Sequence, residues 1–582
     1  MRESRRNKIL NWAIIVVIIA NIAVFSSFSS ILISQISKTQ PSMGEVLRVA
    51  TTANPATMDP IDAWDSVSNN MLDQVVETLI AYDLSDPNLP LVGRLTESWY
   101  WPNNKTIVFQ LRENVFFHDG SRFTADCVLH TIKRINYFGN WSGTLPSTET
   151  MAFPHSLYKF RDGTPIFNDT LSFTTDDYNV TLVLNRPYTP AEGLLAYTAS
   201  SILHPDSTPA DQMLELGTDL VVGTGPFRLI RYVPNKDIIF ARWERYWRTG
   251  AYWDQIVYTF YRNADEANNA MLNLDVDYLG QGLSSYKQDF IDHPDITVTG
   301  DGVHDYIAGS IYCYIGFNTE WINLTWRKAI CHAFNYTYLI KDILEGTGVK
   351  ANSLVPSGFP AHNSSVMGGT YNVPYARQIM QSMGYGYTAG VPWDVGTQVG
   401  DDFYPGANET LWHYASFVPP IGNFSGTWDF SRICGSTFQT KLFLRFAEDM
   451  YLIGIKMTPQ VCPWDQFLLK PNRRHIWFEG WGPDYFETFD MIDPLVNPAS
   501  ESNYGKINNT EINTILAITQ AETDTSQRYE YYKKLQYLIH DKYYYHIPLF
   551  YNKVDFVHAK SLKGFPYNCM RILYWYPTYH EI

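Results

Sequence analysis

Cysteine is scarce, with six in 582 residues, and no two stand in a C-x-x-C pair, so the spacing of a structural zinc site is missing. Positive charge is in deficit: 44 Lys and Arg face 59 Asp and Glu, a net charge of -15 spread along the chain. No basic stripe remains to neutralise phosphates, which argues against a nucleic-acid partner. There is no H-E-x-x-H and no G-x-S-x-G, and the fourteen histidines form no ligand-spaced pair, so neither a metal nor another cofactor is expected. Low-complexity tracts and solenoid-period repeats are lacking as well. Beyond the N-terminal segment, no hydrophobic run is long enough to span a bilayer. What remains is 45% apolar and 15% aromatic, a globular composition with ample core. Its length allows two to four domains.

The N-terminus carries the compartment signal. Arg2, Arg5, Arg6 and Lys8 precede a segment without charge until Lys38, with WAIIVVIIANIAVF at residues 12–25 as its heart. A helix over residues 11–36 would be roughly 39 Å long, enough for a ~30 Å hydrocarbon core. Basic residues before it place the start inside and the rest outside. An uncleaved anchor over residues 1–37 is favoured over a cleaved signal peptide, since no Ala-x-Ala site follows. Residues 38–44, KTQPSMG, read as a linker. Ten N-x-Ser/Thr sequons, beginning at Asn104, Asn140, Asn168, Asn179, Asn323, Asn335, Asn363, Asn408, Asn423 and Asn508, agree with export and suggest a glycoprotein. Export also permits disulfides among Cys127, Cys313, Cys331, Cys434, Cys462 and Cys569, with Cys434–Cys462 the favoured pair.

Strand and helix patterns alternate through the chain. LRVATT (47–52) reads as a buried strand, residues 68–82 as a helix, and KTIVFQL (105–111) as a strand with Ile107, Phe109 and Leu111 on one face. Thr124 is placed to cap the helix that follows. Gly223-Thr224-Gly225-Pro226-Phe227 opens a strand; a phosphate cradle is rejected because Pro226 lacks a donor and no G-K-Ser/Thr follows. Strand 311–319, helix 326–344 ended at Gly346, a loop-rich stretch over 384–430, helix 442–452, helix 527–540 and the extended run 546–551 complete the pattern. The fold class expected is α/β or mixed α+β. Several charged pairs take structural readings: His118-Asp119 lies in a turn, Ser284 and Lys287 match S-x-x-K by chance, and Asp265-Glu266 and Asp275-Asp277 are expected to be solvated.

One stretch poses a chemical question. WFEGWGPDYFETF (477–489) sets Asp484 directly after a Gly-Pro turn and among six rings. A carboxylate among rings is costly unless something positive meets it. Asp484 therefore reads either as a ligand contact or as the cap of a helix beginning near Tyr485.

In order, these segments resemble one family. ATMDP (56–60), DQVVETLIAYD (73–83), LTESW with FQLRENVFFHDGSRFTADCV (95–128), VGTGPFRLIRYVPNKDIIFARWERYW (222–247), residues 326–353, MYLIGIKM (450–457), GWGPDYFETFDMIDPLV (480–496) and HIPLFY (546–551) are similar to elements of the extracytoplasmic solute-binding proteins of ABC transporters, family 5, of the dipeptide and oligopeptide type. The resemblance implies a class II periplasmic-binding-protein-like fold of three interleaved domains around a hinged cleft. Domain I would take 45–90, 205–310 and 546–582, domain II 91–204 and domain III 311–545. It implies a monomeric receptor, not an enzyme, that closes on a peptide or other small solute and hands it to membrane permease subunits. It also implies ligand contacts at Asp484, which would meet the α-amino group, with Trp481, Tyr485, Ser66 and Ser68. One departure is the place just before Gly480-Trp481. Some relatives carry an arginine there for the ligand carboxylate, but this chain has Phe478, with Arg473 and Arg474 further back. An oligosaccharide ligand, an exported hydrolase using paired carboxylates, and a sensor subunit are the alternatives.

Overall fold

A computed structural model describes residues 45–63, 65–139, 157–160, 162–280, 286–299, 307–414, 428–433, 436–462, 475–500 and 502–581. The expected anchor, the linker, Cys434, Ser284, Arg473 and Arg474 lie outside the described residues. No helix among the described residues is long and apolar enough to cross a membrane.

Three sheets carry the fold. The largest has seven strands and gathers distant pieces of chain, in the order Ile296–Val298, Val557–Ala559, Tyr278–Leu279, Glu45–Thr51, Trp253–Phe260, Asp237–Arg242 and Phe227–Val233. Its central strand Glu45–Thr51 runs parallel to both neighbours, and Leu47, Val49 and Ala50 are buried to within 1%. Burial on both faces explains the near-continuous apolar run there. A six-stranded mixed sheet follows, in the order Gly348–Lys350, His546–Val554, Ile307–Phe317, Ile476–Trp481, Trp428–Ile433 and Met457–Cys462. Inserted in sequence between two strands of the largest sheet, Glu45–Thr51 and Phe227–Val233, lies an antiparallel four-stranded sheet, Thr96–Asn103, Thr106–Leu111, Asn179–Leu184 and Phe167–Asp176, against which helix Ala125–Phe138 packs.

Along Ile307–Phe317, alternation sends Tyr312 and Tyr314 into one core, and Cys313, Ile315 and Phe317 into another. Trp477 and Phe478 belong to the adjacent strand and are buried to 1% and 7%, as core residues rather than walls of a cleft.

Three expected elements differ. The helix expected over 68–82 is only Ser66–Leu72, and the chain then runs irregularly to the strand Ile80–Tyr82. The apolar spacing of Val75, Val76 and Leu79 is real, and all three are buried, but the backbone of Val75 is occupied by tertiary bonds. Its carbonyl accepts from Gly225 N at 2.9 Å. The G-T-G-P stretch is thus a site of close backbone approach. A Cβ at Gly223 would stand 2.0 Å from the Val75 oxygen, and one at Gly225 2.7 Å from the Gln74 oxygen. Gly223→Ala is expected to destabilise the fold by about 1–3 kcal/mol, read as a lowered denaturant midpoint at unchanged m-value. Helix 326–344 is likewise interrupted. It ends at Ala333, and Asn335 starts a new turn by accepting from Tyr338 N while its own N–H donates to Asp449 at 2.9 Å. The stretch expected to be loop-rich holds two short hairpins, Tyr387–Pro392 and Thr397–Tyr404, and helix Glu409–Tyr414.

Some side-chain expectations change too. Thr124 precedes helix Ala125–Phe138 without making a side-chain cap bond. Asp277 is buried rather than solvated, because it accepts from Arg48 N at 2.7 Å and pairs with His580 at 3.2 Å. Several sequon asparagines are structural: Asn323 and Asn335 cap helices, and Asn408 accepts from Asp394 N. Cys127, Cys313, Cys331, Cys462 and Cys569 are free thiols.

Candidate ligand-binding site

The short helix Ser66–Leu72 begins because Asp65 caps it, accepting from Val67 N and Ser68 N. Ser68 faces inward, and its hydroxyl accepts from Ala56 N at 2.9 Å and Thr57 N at 3.3 Å, tying the ATMDP turn to the helix. The outer side of the helix and the chain after it form one wall of a cavity of about 200 Å³, lined by Ser66, Asn69, Asn70, Asp73 and Glu77. Thr198 and Arg94 close a second side, Arg571 and Tyr574 a third, and Pro483 with Asp484 a fourth. Pieces of chain almost the full length of the sequence apart thus meet around one space.

The loop that presents Asp484 is held firmly. Phe486 N donates to the Tyr82 hydroxyl at 2.9 Å, and Asp484 N donates to the Asp490 carboxylate at 2.6 Å. Helix Thr488–Val496 starts after Glu487, so Asp484 is not its N-cap. The Tyr485 ring is buried against Gly193, where a Cβ would come within 2.5 Å of it. Trp481 donates its indole N–H to Asp490 O at 3.1 Å. Of the five expected contacts, the structure therefore brings Asp484 and Ser66 to the cavity, while Ser68, Trp481 and Tyr485 support its walls from behind.

Electrostatics mark the acids of this space. Burial raises the Asp484 carboxyl well above the ordinary carboxylate range, and no Lys, Arg or His among the described residues makes an ion pair with it. Asp490, behind it, is raised by burial and by the nearby Asp484 charge. Asp73, which also lines the cavity, is pushed up to about 6 by burial, although the Thr198 hydroxyl at 2.8 Å and Arg94 favour its charged form. Glu77, by contrast, is fully engaged: Thr224, Tyr246 and Trp247 donate to it, and Arg94 stands 3.6 Å away. A cation bound in this space would favour the charged forms of its buried acids and lower their pKa.

Sequence reasoning missed Asn69, Asn70, Asp73, Arg94, Arg571 and Tyr574. Asp73 was hidden inside an expected helix, and the C-terminal arginine carries no local signal at all. The His118-Asp119 couple proves structural: His118 bonds Gly225 O at 3.0 Å and Gly223 N at 3.3 Å. Among the described residues no cluster of His, Cys, Asp and Glu could hold a metal ion.

Comparison with known proteins bears on this geometry. The family model described as bacterial extracellular solute-binding proteins, family 5 middle, matches residues 90–503. Heme-binding protein A of Haemophilus influenzae is 23% identical over 485 residues, 77% of each chain. The dipeptide-binding protein of Escherichia coli K12 is 22% identical over 522 residues, 84% of this chain and 85% of that one. The periplasmic binding protein DppA of Helicobacter pylori, solved with the peptide STSA, superposes with a TM-score of 0.71 at 21% identity, covering 94% of this chain and all of that one. At this identity the likeness to the solved structure is one of fold.

Proposed function

Because this chain belongs to the bacterial extracellular solute-binding proteins of family 5, we propose that it is the capture receptor of an ABC importer and binds short peptides by their free amine. The observation that carries this reading is Asp484: a carboxyl raised by burial and without an ion-pair partner among the described residues, at the wall of a cavity where separate parts of the chain meet. An ammonium supplies the missing charge, and a hydrogen bond between two ions in a closed cleft contributes roughly 1.5–3 kcal/mol. The protein changes no covalent bond of its guest. It releases the solute to membrane permease subunits, and the hydrophobic segment at residues 12–25 tethers it where they can be reached. A ligand that favours the closed state shifts the hinge only by its differential affinity.

Mass spectrometry of material that co-purifies with the protein tests the ligand class. Short peptides are the expected result. A carbohydrate, or turnover of labelled peptides on incubation, overturns the reading.

The linkage to pH has a definite sign. The free Asp484 carboxyl lies above its ordinary value, and an ammonium partner lowers it, so binding releases protons. Affinity for an amine-bearing peptide is therefore expected to weaken as pH falls from about 8 to about 5. Calorimetry in buffers of different ionisation enthalpy reads the released proton directly, and uptake of a proton would contradict the assignment.

A further inference from the structure

We propose that Arg571 is the anion-recognising residue of this site, so that the receptor selects short solutes bearing a carboxylate as well as an amine; this rests on the ligand reading above. Arg571 lines both the main cavity and a neighbouring one of about 100 Å³, and so stands at their junction. Its backbone is in the left-handed region, at φ 56°, which a side chain with a Cβ rarely adopts. Such a conformation persists when its surroundings over-determine it, and here they do. The Asn568 side chain accepts from Ile572 N at 3.0 Å and donates to Ile572 O at 2.9 Å. Asn70 accepts from Leu573 N at 3.1 Å, and Gln74 grips Leu573 O at 2.7 Å and Trp575 N at 3.0 Å. The segment is thus locked onto the same stretch of chain that floors the cavity.

Charge distinguishes Arg571 from the other arginine of the cavity. Arg94 is committed: it stands 3.6 Å from Glu77 and lies 4.4 Å over the Tyr574 ring. Arg571 is exposed, donates to Gly280 O at 3.3 Å, and makes no ion pair among the described residues. Its guanidinium retains donors in the fork geometry that suits a carboxylate. The smaller cavity beyond it is walled by Val49, Val67, Met71 and Leu573 with the Tyr258 and Tyr278 rings, which suits an apolar side chain. A dipeptide with its amine at Asp484, its carboxylate at Arg571 and an apolar second residue in the side cavity satisfies all three.

The test is calorimetric titration of the full chain with Ala-Phe and with Ala-Phe amide. The wild type is expected to bind the acid at least about tenfold more tightly than the amide. Arg571→Gln is expected to bind the acid and the amide alike, and Arg571→Lys to keep part of the preference. Arg571→Gly removes the guanidinium and relieves the left-handed backbone, so it is expected to lose the preference while gaining thermal stability. Equal binding of acid and amide by the wild type, or a preference that survives in Arg571→Gln and Arg571→Gly, overturns the role of Arg571 and leaves the amine contact standing. Failure of the wild type to bind either dipeptide overturns the peptide reading itself, and this assignment with it.

Discussion

Asp484→Asn weakens binding of a free-amine peptide by at least about tenfold, because the neutral amide forfeits a charge-assisted hydrogen bond worth roughly 1.5–3 kcal/mol in a closed cleft. The same change is expected to leave the protein folded and to raise its stability at neutral pH. Asp484 has a folded pKa above its unfolded value, so its ionised form opposes folding at any pH above that raised value. It also repels Asp490, whose carboxylate already holds Asp484 N at 2.6 Å. Titration calorimetry and thermal melting read the two effects separately. An N-acetylated peptide is the control, since it carries no ammonium and its binding should not respond to the substitution. Unchanged affinity for the free-amine peptide would remove Asp484 from the ligand and leave it a support of its own loop.

The second large effect concerns stability. Arg134, on helix Ala125–Phe138, meets Asp59 in a two-pronged pair, with Nη1 to Oδ1 at 2.9 Å and Nη2 to Oδ2 at 2.6 Å. Both side chains are buried to within 1%. Arg134 also donates to Pro209 O and Gln212 O, and Asp59 accepts from Ile61 N and Leu214 N. Three separate segments are pinned at one point. Arg134→Ala leaves Asp59 buried without its counter-charge and is expected to cost about 3–5 kcal/mol, read as a lowered midpoint of denaturation. Adding Asp59→Asn is expected to restore part of the loss, because it removes the stranded charge. A single substitution that costs less than about 1 kcal/mol would mean that water reaches Asp59 and screens it.

How far the fold was legible depends on where each element finds its partners. Thr106–Leu111 announces itself because alternate side chains are buried, and Glu45–Thr51 because Leu47, Val49 and Ala50 are all buried in one short apolar run. The helix expected over 68–82 fails after Leu72 because the Val75 carbonyl and the Gln74 side chain bond to residues some 150 and 500 positions away, Gly225 and Leu573. No local pattern encodes such partners. The ring-rich stretch around Asp484 stands out in the sequence, yet its rings divide: Trp477 and Phe478 fill the core, Tyr485 packs on Gly193, and Trp481 bonds Asp490. Composition cannot separate a wall ring from a core ring, since both bury the same apolar area.

By itself the chain determined its class and drew notice to Asp484, because alternating periods and a carboxylate among rings after a Gly-Pro turn are properties of neighbouring residues. Only the tertiary structure decided what Asp484 faces. Asp73 and Arg571, which line the same cavity as Asp484, come from parts of the chain about 500 residues apart. Electrostatic fields act through space rather than along sequence, so a charge's partner, or the lack of one, exists only once the backbone has closed around it.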